Sequence, residues 1–230
     1  MVYHKAPHCP NIFYRLARPS DLEVLEQIHC DVLPISYNSE FFHDVVNGCD
    51  IVSWVAVDCS RPDSRGDELI GFVTARIFLA NESEIGDLLR YDTSRTDQTV
   101  VYILTLGVVD SYRNLGIATS LIRKVIKYAS SIPTCQAVYL HVVAENHPAI
   151  SLYKKMLFKC VQRLPNFYCI NDQIYDAFVF VYFVNGDPSH YSPLDLVVAV
   201  ATYVKSVVKS LAKRLWKNLD KKVDVRNARD

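Results

Sequence analysis

The chain carries no net charge: 25 lysines and arginines are balanced by 25 aspartates and glutamates. No sustained basic stripe runs along its body, so a nucleic-acid-binding surface is not expected. Its seven cysteines (Cys9, Cys30, Cys49, Cys59, Cys135, Cys160 and Cys169) are odd in number and include no C-x-x-C pair. That pattern argues against a disulfide framework and against a zinc site, and favours a reducing compartment. Met1 to Pro10 has no apolar core, so no secretory signal is expected. Internal repeats and low-complexity tracts are absent. No apolar run is long enough to span a bilayer, since the longest candidate stops at Lys205.

What is present is a core and an asymmetry. Half of the 230 residues are hydrophobic, enough to bury one domain of ordinary size with an appendage. Residues 194–230 hold nine Lys and Arg against four Asp and Glu, a net of +5, which leaves −5 on the remainder. Within Leu194 to Leu219, apolar residues recur at 197, 200, 204, 208, 211 and 215, with Lys205, Lys209, Lys213 and Lys217 mostly opposite and Trp216 near the end. This is the pattern of a basic amphipathic helix. Anionic lipid fits it best, while packing against its own domain and binding a protein partner remain open. The division expected is therefore a domain over 12–185, a linker over 186–193 and a membrane-binding tail over 194–230.

Periodicity gives the order of elements in the domain. Ile12 to Arg18 reads as a strand. A helix follows, opened by Ser20 and Glu23 at capping-box spacing and carrying Leu22, Leu25, Ile28 and Val32 on one face. Pro34 ends it, and Ser39 caps a short helix over Phe41 to Val46. Ile51 to Val57 and Leu69 to Leu79 read as paired strands, and the polar stretch Ala80 to Asp97 leads to a strand over Thr99 to Val109. An amphipathic helix, a strand over Ala137 to Val143, a helix over His147 to Met156 and two strands, roughly Phe158 to Ile170 and Gln173 to Val184, complete the domain. The fold class is α/β: β-α-α-β-β-β-α-β-α-β-β, a single mixed sheet with helices on both faces, plus the C-terminal amphipathic helix.

The most informative segment is Thr99 to Tyr128. An apolar strand ending in Leu106-Gly107-Val108-Val109 passes through Arg113-Asn114-Leu115-Gly116-Ile117-Ala118 into a helix. A small-residue turn at a helix start exposes unpaired N–H groups, and with the helix dipole these suit a pyrophosphate. The spacing R-x-x-G-x-A in this setting resembles motif A of the GNAT acetyltransferases. A second segment, Asn146-His147-Pro148-Ala149-Ile150-Ser151-Leu152-Tyr153, matches that superfamily's N-x-x-A-x-x-x-Y pattern. The resemblance implies that acetyl-CoA is the co-substrate. It implies that Leu106, Gly107, Val108, Asn114, Leu115, Gly116, Ile117, Ala118 and Thr119 hold it, that Asn146 contacts the pantetheine arm, and that the Tyr153 hydroxyl lies near the thiol.

Read from the residues alone, Tyr102 is a strand aromatic and His141 a hydrogen-bonded core histidine. Either could instead hold a water that takes a proton from an amine, and histidine is the side chain best poised near neutral pH. A narrower resemblance bears on this. Tyr102 to Val109, Tyr139-Leu140-His141-Val142, the loops Leu33-Pro34-Ile35-Ser36-Tyr37 and Leu164-Pro165-Asn166-Phe167-Tyr168, and Asn185-Gly186-Asp187-Pro188 are similar to the F type of N-terminal acetyltransferase. That similarity implies that Tyr102 and His141 are the catalytic pair and that Tyr37, Leu104 and Tyr168 contact the acceptor peptide. It also implies protein N-termini retaining the initiator Met as substrates, and peripheral attachment to the cytosolic face of the plasma membrane or Golgi. Leu33, Ser36, Asn166 and Phe167 depart from the pattern at the peptide entrance. A lysine acetyltransferase, for instance of histones, shares the same cofactor motifs and is the main alternative. A non-catalytic acetyl-CoA-binding protein is the other, which loss of Tyr102, His141 or the turn would favour.

Overall fold

The computed structural model describes residues 10–60, 68–86, 89 and 97–184. The linker and amphipathic tail expected over 186–230 lie outside the described residues. Seven strands form one sheet: β1 (Ile12–Leu16), β2 (Ile51–Asp58), β3 (Glu68–Leu79), β4 (Thr99–Val108), β5 (Cys135–Val143), β6 (Lys159–Ile170) and β7 (Gln173–Phe183). Their spatial order is β1-β2-β3-β4-β5-β7-β6. The helices are α1 (Leu22–Val32), α2 (Ser39–Asn47), α3 (Ile117–Ser130) and α4 (His147–Lys155). The element order is the one expected from periodicity.

Alternation along the strands divides the core between two faces. Ala56, Val73, Val101, Ile103 and Val138 face α3 and α4, packing on Ile117, Leu121, Val125 and Tyr153. Ile51, Val55, Val57 and Phe72 face α1 and α2, packing on Leu25, Ile28 and Val45. Further along that second face, Val100, Tyr139, Val179 and Val181 lie with Ala80, Ile85 and Leu89 of the segment between β3 and β4.

Two helix starts differ from the sequence reading. Ser20 and Glu23 form no capping box; a 3-10 turn over Pro19–Asp21 precedes α1. Asp21 is captured there by the N–H of Arg18 at 2.8 Å and by the guanidinium of Arg15 at 2.6 and 2.8 Å. A carboxylate so held outcompetes a serine hydroxyl for the role of organising the turn. At α2, Asn38 rather than Ser39 is the cap, its side chain accepting the Phe41 N–H at 3.0 Å.

Three irregularities in the sheet matter for the site. All neighbouring strands are antiparallel except β4 and β5, which run parallel. Their pairing ends at Tyr102↔Tyr139, so Ile103 to Val108 and Leu140 to Val143 part from each other. The register of β3 with β4 slips where Thr74 pairs Thr105 and Ala75 pairs Ile103, leaving Leu104 as the extra residue of a bulge. The third lies in the β6–β7 hairpin, where Leu164 pairs Ala177 but Tyr168 pairs Tyr175. Pro165, Asn166 and Phe167 therefore stand across from Asp176 alone.

Candidate active site

Parted parallel strands leave a gap in the sheet with unpaired backbone groups along both lips. Each strand then feeds a helix packed on the same face, so two helix N-termini, of α3 and α4, adjoin the C-terminal ends of β4 and β5. Open α/β sheets bind ligands at such carboxyl ends. Between β4 and α3, Asn114 and Gly116 adopt left-handed φ values of 65° and 78°. A Cβ at Gly116 would meet no atom within 4 Å, so the turn faces open space. The first hydrogen bond of α3 joins the Ser120 N–H to the Gly116 carbonyl at 3.0 Å. The amides of Leu115 to Thr119 precede that bond and are free to converge on an anion. Arg113 braces the turn, donating from Nε to the Val108 carbonyl at 3.2 Å and pairing with Asp110 at 2.6 Å. An open cradle of amides at a helix start fits the pyrophosphate of acetyl-CoA.

Other expected cofactor residues have additional or different duties. Asn146 caps α4, its Oδ1 accepting the Ala149 N–H at 3.2 Å, which leaves its amide N–H groups for a ligand. Tyr153 is buried with its ring 5.9 Å from those of Phe158 and Phe180, and burial holds its hydroxyl well above the usual tyrosine range. Gly107 is required by packing: a Cβ there would overlap the Phe72 ring and press on Val32 of α1. Leu106 packs toward the α3 face, beside Val108.

On the opposite face, Tyr102 and His141 come together. The phenol oxygen lies 2.8 Å from His141 Nδ1, within hydrogen-bond reach. At the far nitrogen, Nε2, Glu84 Oε1 stands 2.8 Å away but out of line for a full hydrogen bond. The His141 side chain is only 5% exposed, while that of Glu84 is 36% exposed. Burial first, and then the neighbouring Tyr168, Tyr139, Glu84 and Tyr37, push the Tyr102 hydroxyl well above its ordinary value. It remains a phenol at neutral pH. The ring of Tyr139 stacks on that of Tyr102 at 4.7 Å.

The expected peptide contacts surround this pair. Tyr37, in the loop after α1, stacks on Phe41 at 4.5 Å. Tyr168 is close enough to feel the Tyr37 and Glu84 charges, and with burial as the main cause its hydroxyl is pushed up to about 12. Leu104 packs against the α1–α2 cluster. The bulge explains this, since it lets Leu104 and Thr105 both reach toward α1.

Two residues that periodicity does not single out complete the arrangement. Glu84 comes from the stretch read only as a polar loop. Phe167 stacks on His141 at 4.5 Å with the rings 20° from parallel. The hairpin bulge carries it there. Asn166 takes a left-handed φ of 56°. Asp176 holds the bulge, accepting the Asn166 N–H at 2.9 Å and the Arg163 guanidinium at 2.6 Å. Among the described residues no group of three or more His, Cys, Asp or Glu is placed to hold a metal ion.

Comparisons with known proteins agree with this geometry. The acetyltransferase (GNAT) family model matches residues 22–158. The chain is 60% identical to histone acetyltransferase MCC1 of Arabidopsis thaliana over 86% of this chain and 80% of that protein. It is 28% identical to N-alpha-acetyltransferase 60 of Danio rerio over 84% of this chain and 78% of that one. Crystal structures of Arabidopsis thaliana NAA60 superpose closely. The complex with acetyl-CoA is 64% identical, with a TM-score of 0.74 over 76% of this chain and 100% of that one. The complex with a bisubstrate analogue is 63% identical, with a TM-score of 0.73 over 77% and 100%.

Proposed function

The chain belongs to the GNAT acetyltransferase family, and from that premise we propose that it transfers acetyl from acetyl-CoA to the free α-amine of protein N-termini, with Tyr102 and His141 handling the proton. The observation that carries the reading is the hydrogen bond between the Tyr102 phenol and His141 Nδ1 beside the parted strands. The NAA60 complex with a bisubstrate analogue supports it.

The α-amine ionises near 7.7–8, against about 10.4 for a lysine ammonium, so an N-terminus needs only modest help to become a nucleophile. The amine's proton passes to the Tyr102 oxygen as the phenol's own proton passes to His141 Nδ1. A free phenolate, disfavoured by burial, never forms. Glu84, 2.8 Å from Nε2, stabilises the resulting imidazolium. The amine nitrogen bonds to the thioester carbonyl carbon, the C–S bond breaks, and the second proton shed by the nitrogen neutralises the departing thiolate. Tyr153, kept protonated by burial, donates a hydrogen bond to that sulfur as it leaves. The α3 turn grips the pyrophosphate, and the Asn146 side-chain amide holds the arm.

The substrates are N-termini that retain the initiator Met. Pro34, Ile35 and Tyr37 offer an apolar pocket for its side chain, and the Tyr37 and Tyr168 hydroxyls suit the peptide backbone. Membrane proteins with cytosolic N-termini are the natural targets if the 194–230 tail binds anionic lipid, which would make this a peripheral protein of the plasma membrane or Golgi. Deleting 194–230 is then expected to abolish flotation with anionic vesicles while leaving peptide acetylation intact. Flotation of the truncated protein would overturn the tail assignment.

The relative named as a histone acetyltransferase keeps lysine transfer as a second reading. One assay separates them: acetyl-CoA with a Met-Lys peptide, its α-amine free or blocked, and the acetyl group located by mass. Acetylation confined to the free α-amine is expected. Lysine acetylation of the blocked peptide would replace the proposal.

A further inference from the structure

A cleft of about 870 Å³ lies away from the α3 turn, where α2 ends, β2 begins and β3 ends. Val45, Gly48, Asp50, Ser53, Arg76 and Phe78 are among its lining. Strand register relates it to the catalytic pair. Residues directly paired across a sheet share a face, as do residues two apart on one strand. Ser53 pairs Thr74, and Arg76, two residues on, pairs Tyr102. Phe78, two further, has its ring 6.3 Å from that of Tyr102. The part of the cleft lined by Ser53, Arg76 and Phe78 thus shares the face of Tyr102, while Val52, Ala75 and Tyr128 of α3 line its other part.

Two donors on residues that line it have no hydrogen-bond partner among the described residues. Arg76 Nε and Ser53 Oγ are both buried and unbonded, and Ser53 is only 4% exposed. Among the described residues no carboxylate makes an ion pair with Arg76, not even Asp50, which lines the same cleft. Buried polar groups are almost always bonded, so two unbonded donors on residues that line one cleft call for an acceptor. The Nε edge of a guanidinium presents two parallel N–H groups, the match for the two oxygens of a carboxylate. Val45 and Phe78 supply apolar wall for the stem of the side chain that carries it.

We propose that this cleft is a subsite for the acceptor peptide, in which Arg76 pairs with an Asp or Glu side chain a few residues after the acetylated amine. An extended chain advances roughly 3.3–3.6 Å per residue, so the second to fourth residues come within reach of a side chain one register pair from Tyr102. Ser53 Oγ–H is the deeper donor. The inference rests on the N-terminal acetylation reading.

The test compares kcat/KM for free-amine peptides beginning with Met that carry Glu, Gln or Lys at positions two, three and four in turn, using the full chain. The wild type is expected to favour Glu over Gln by on the order of tenfold at one of these positions. Arg76→Gln brings that ratio to about one, and Arg76→Glu inverts it in favour of Lys. Inversion is an effect that mere loss of packing cannot produce. Acetyl-CoA binding and thermal melting verify that each variant folds. A wild-type ratio of one at all three positions, or a ratio unchanged in Arg76→Gln, overturns the subsite while leaving N-terminal acetylation standing. If the wild type fails to acetylate even the Gln peptides, the parent reading falls and the subsite with it.

Discussion

Two histidines lie on the same side of the sheet in outwardly similar settings, and their third contacts set them apart. His29 of α1 stacks on Phe72 with ring centres 3.6 Å apart, and His141 of β5 stacks on Phe167 at 4.5 Å. Each has a hydroxyl within hydrogen-bond reach of one nitrogen, that of Thr105 at 3.1 Å or of Tyr102 at 2.8 Å. His29 Nδ1 then donates to the Leu25 carbonyl at 2.9 Å, one turn back on its own helix. Since a carbonyl only accepts, the tautomer is fixed. The Thr105 hydroxyl donates to Nε2, and its oxygen takes the Thr74 hydroxyl proton at 2.7 Å. That wire is one-way and closed. His141 has instead a half-exposed carboxylate at its far nitrogen, so a second proton has somewhere to be welcomed. A carbonyl partner makes a strut, whereas a carboxylate partner makes a proton carrier.

The comparison breaks first at the carrier. Tyr102→Phe and His141→Ala are each expected to lower kcat by about 10²–10⁴ with little change in melting temperature. Members of one relay are not additive, so the double variant should be little worse than the poorer single one. Steady-state rates on one Met-initiated peptide decide this, and additive losses would separate the two roles.

At the strut the effect falls on stability. Burial lowers the His29 pKa to about 4 from 6.5, against a smaller opposing contribution from the Leu25 bond. As pH falls below 6.5 the unfolded chain takes up the proton first, so stability is full above that value and lost down to about 4. By pH 5 this amounts to about 2 kcal/mol. Denaturant titrations at pH 5 and 7 should show that loss in the wild type and its absence in His29→Asn. The Thr105, Thr74, Tyr37, Phe41, Phe42 and Phe72 side chains around it carry no charge in this range, which keeps the difference attributable to His29.

The smallest effect sharpens the contrast. Glu84→Gln turns the partner of His141 into a neutral amide, moving it toward the situation of His29. The kcat is expected to fall by roughly tenfold, the value of one charge-assisted contact. An unchanged kcat would show that Glu84 is a bystander.

Periodicity and motif spacing located, in order, the strands and α-helices found among the described residues, and family likeness brought Tyr102, His141, Tyr37 and Tyr168 forward. What stayed hidden depends on breaks in periodicity. Leu104 and Thr105 both reach toward α1 because of a one-residue slip, which no alternation rule anticipates. Phe167 reaches His141 through a bulge held by Asp176, ten residues beyond Asn166. Glu84 sits in a stretch of no regular pattern, and only the course of the chain after β3 brings it to the imidazole. Asp21, three residues from Arg18 and six from Arg15, organises the turn before α1 through both, displacing a capping box that was sound on spacing alone.

The parting of β4 from β5 has a further consequence, for amide exchange. Past Tyr102 and Tyr139 these two strands no longer protect each other's peptide groups, although each keeps its other neighbour. A ligand whose own amides lie along that gap takes the part of the missing strand. Deuterium uptake along 103–108 and 140–143 should therefore report occupancy residue by residue, and saturating acetyl-CoA should raise the unfolding free energy by RT ln(1 + [L]/Kd). The middle of this sheet is left open past Tyr102 and Tyr139, so filling that gap is expected to make the abundance of acetyl-CoA a determinant of how firmly the enzyme holds together.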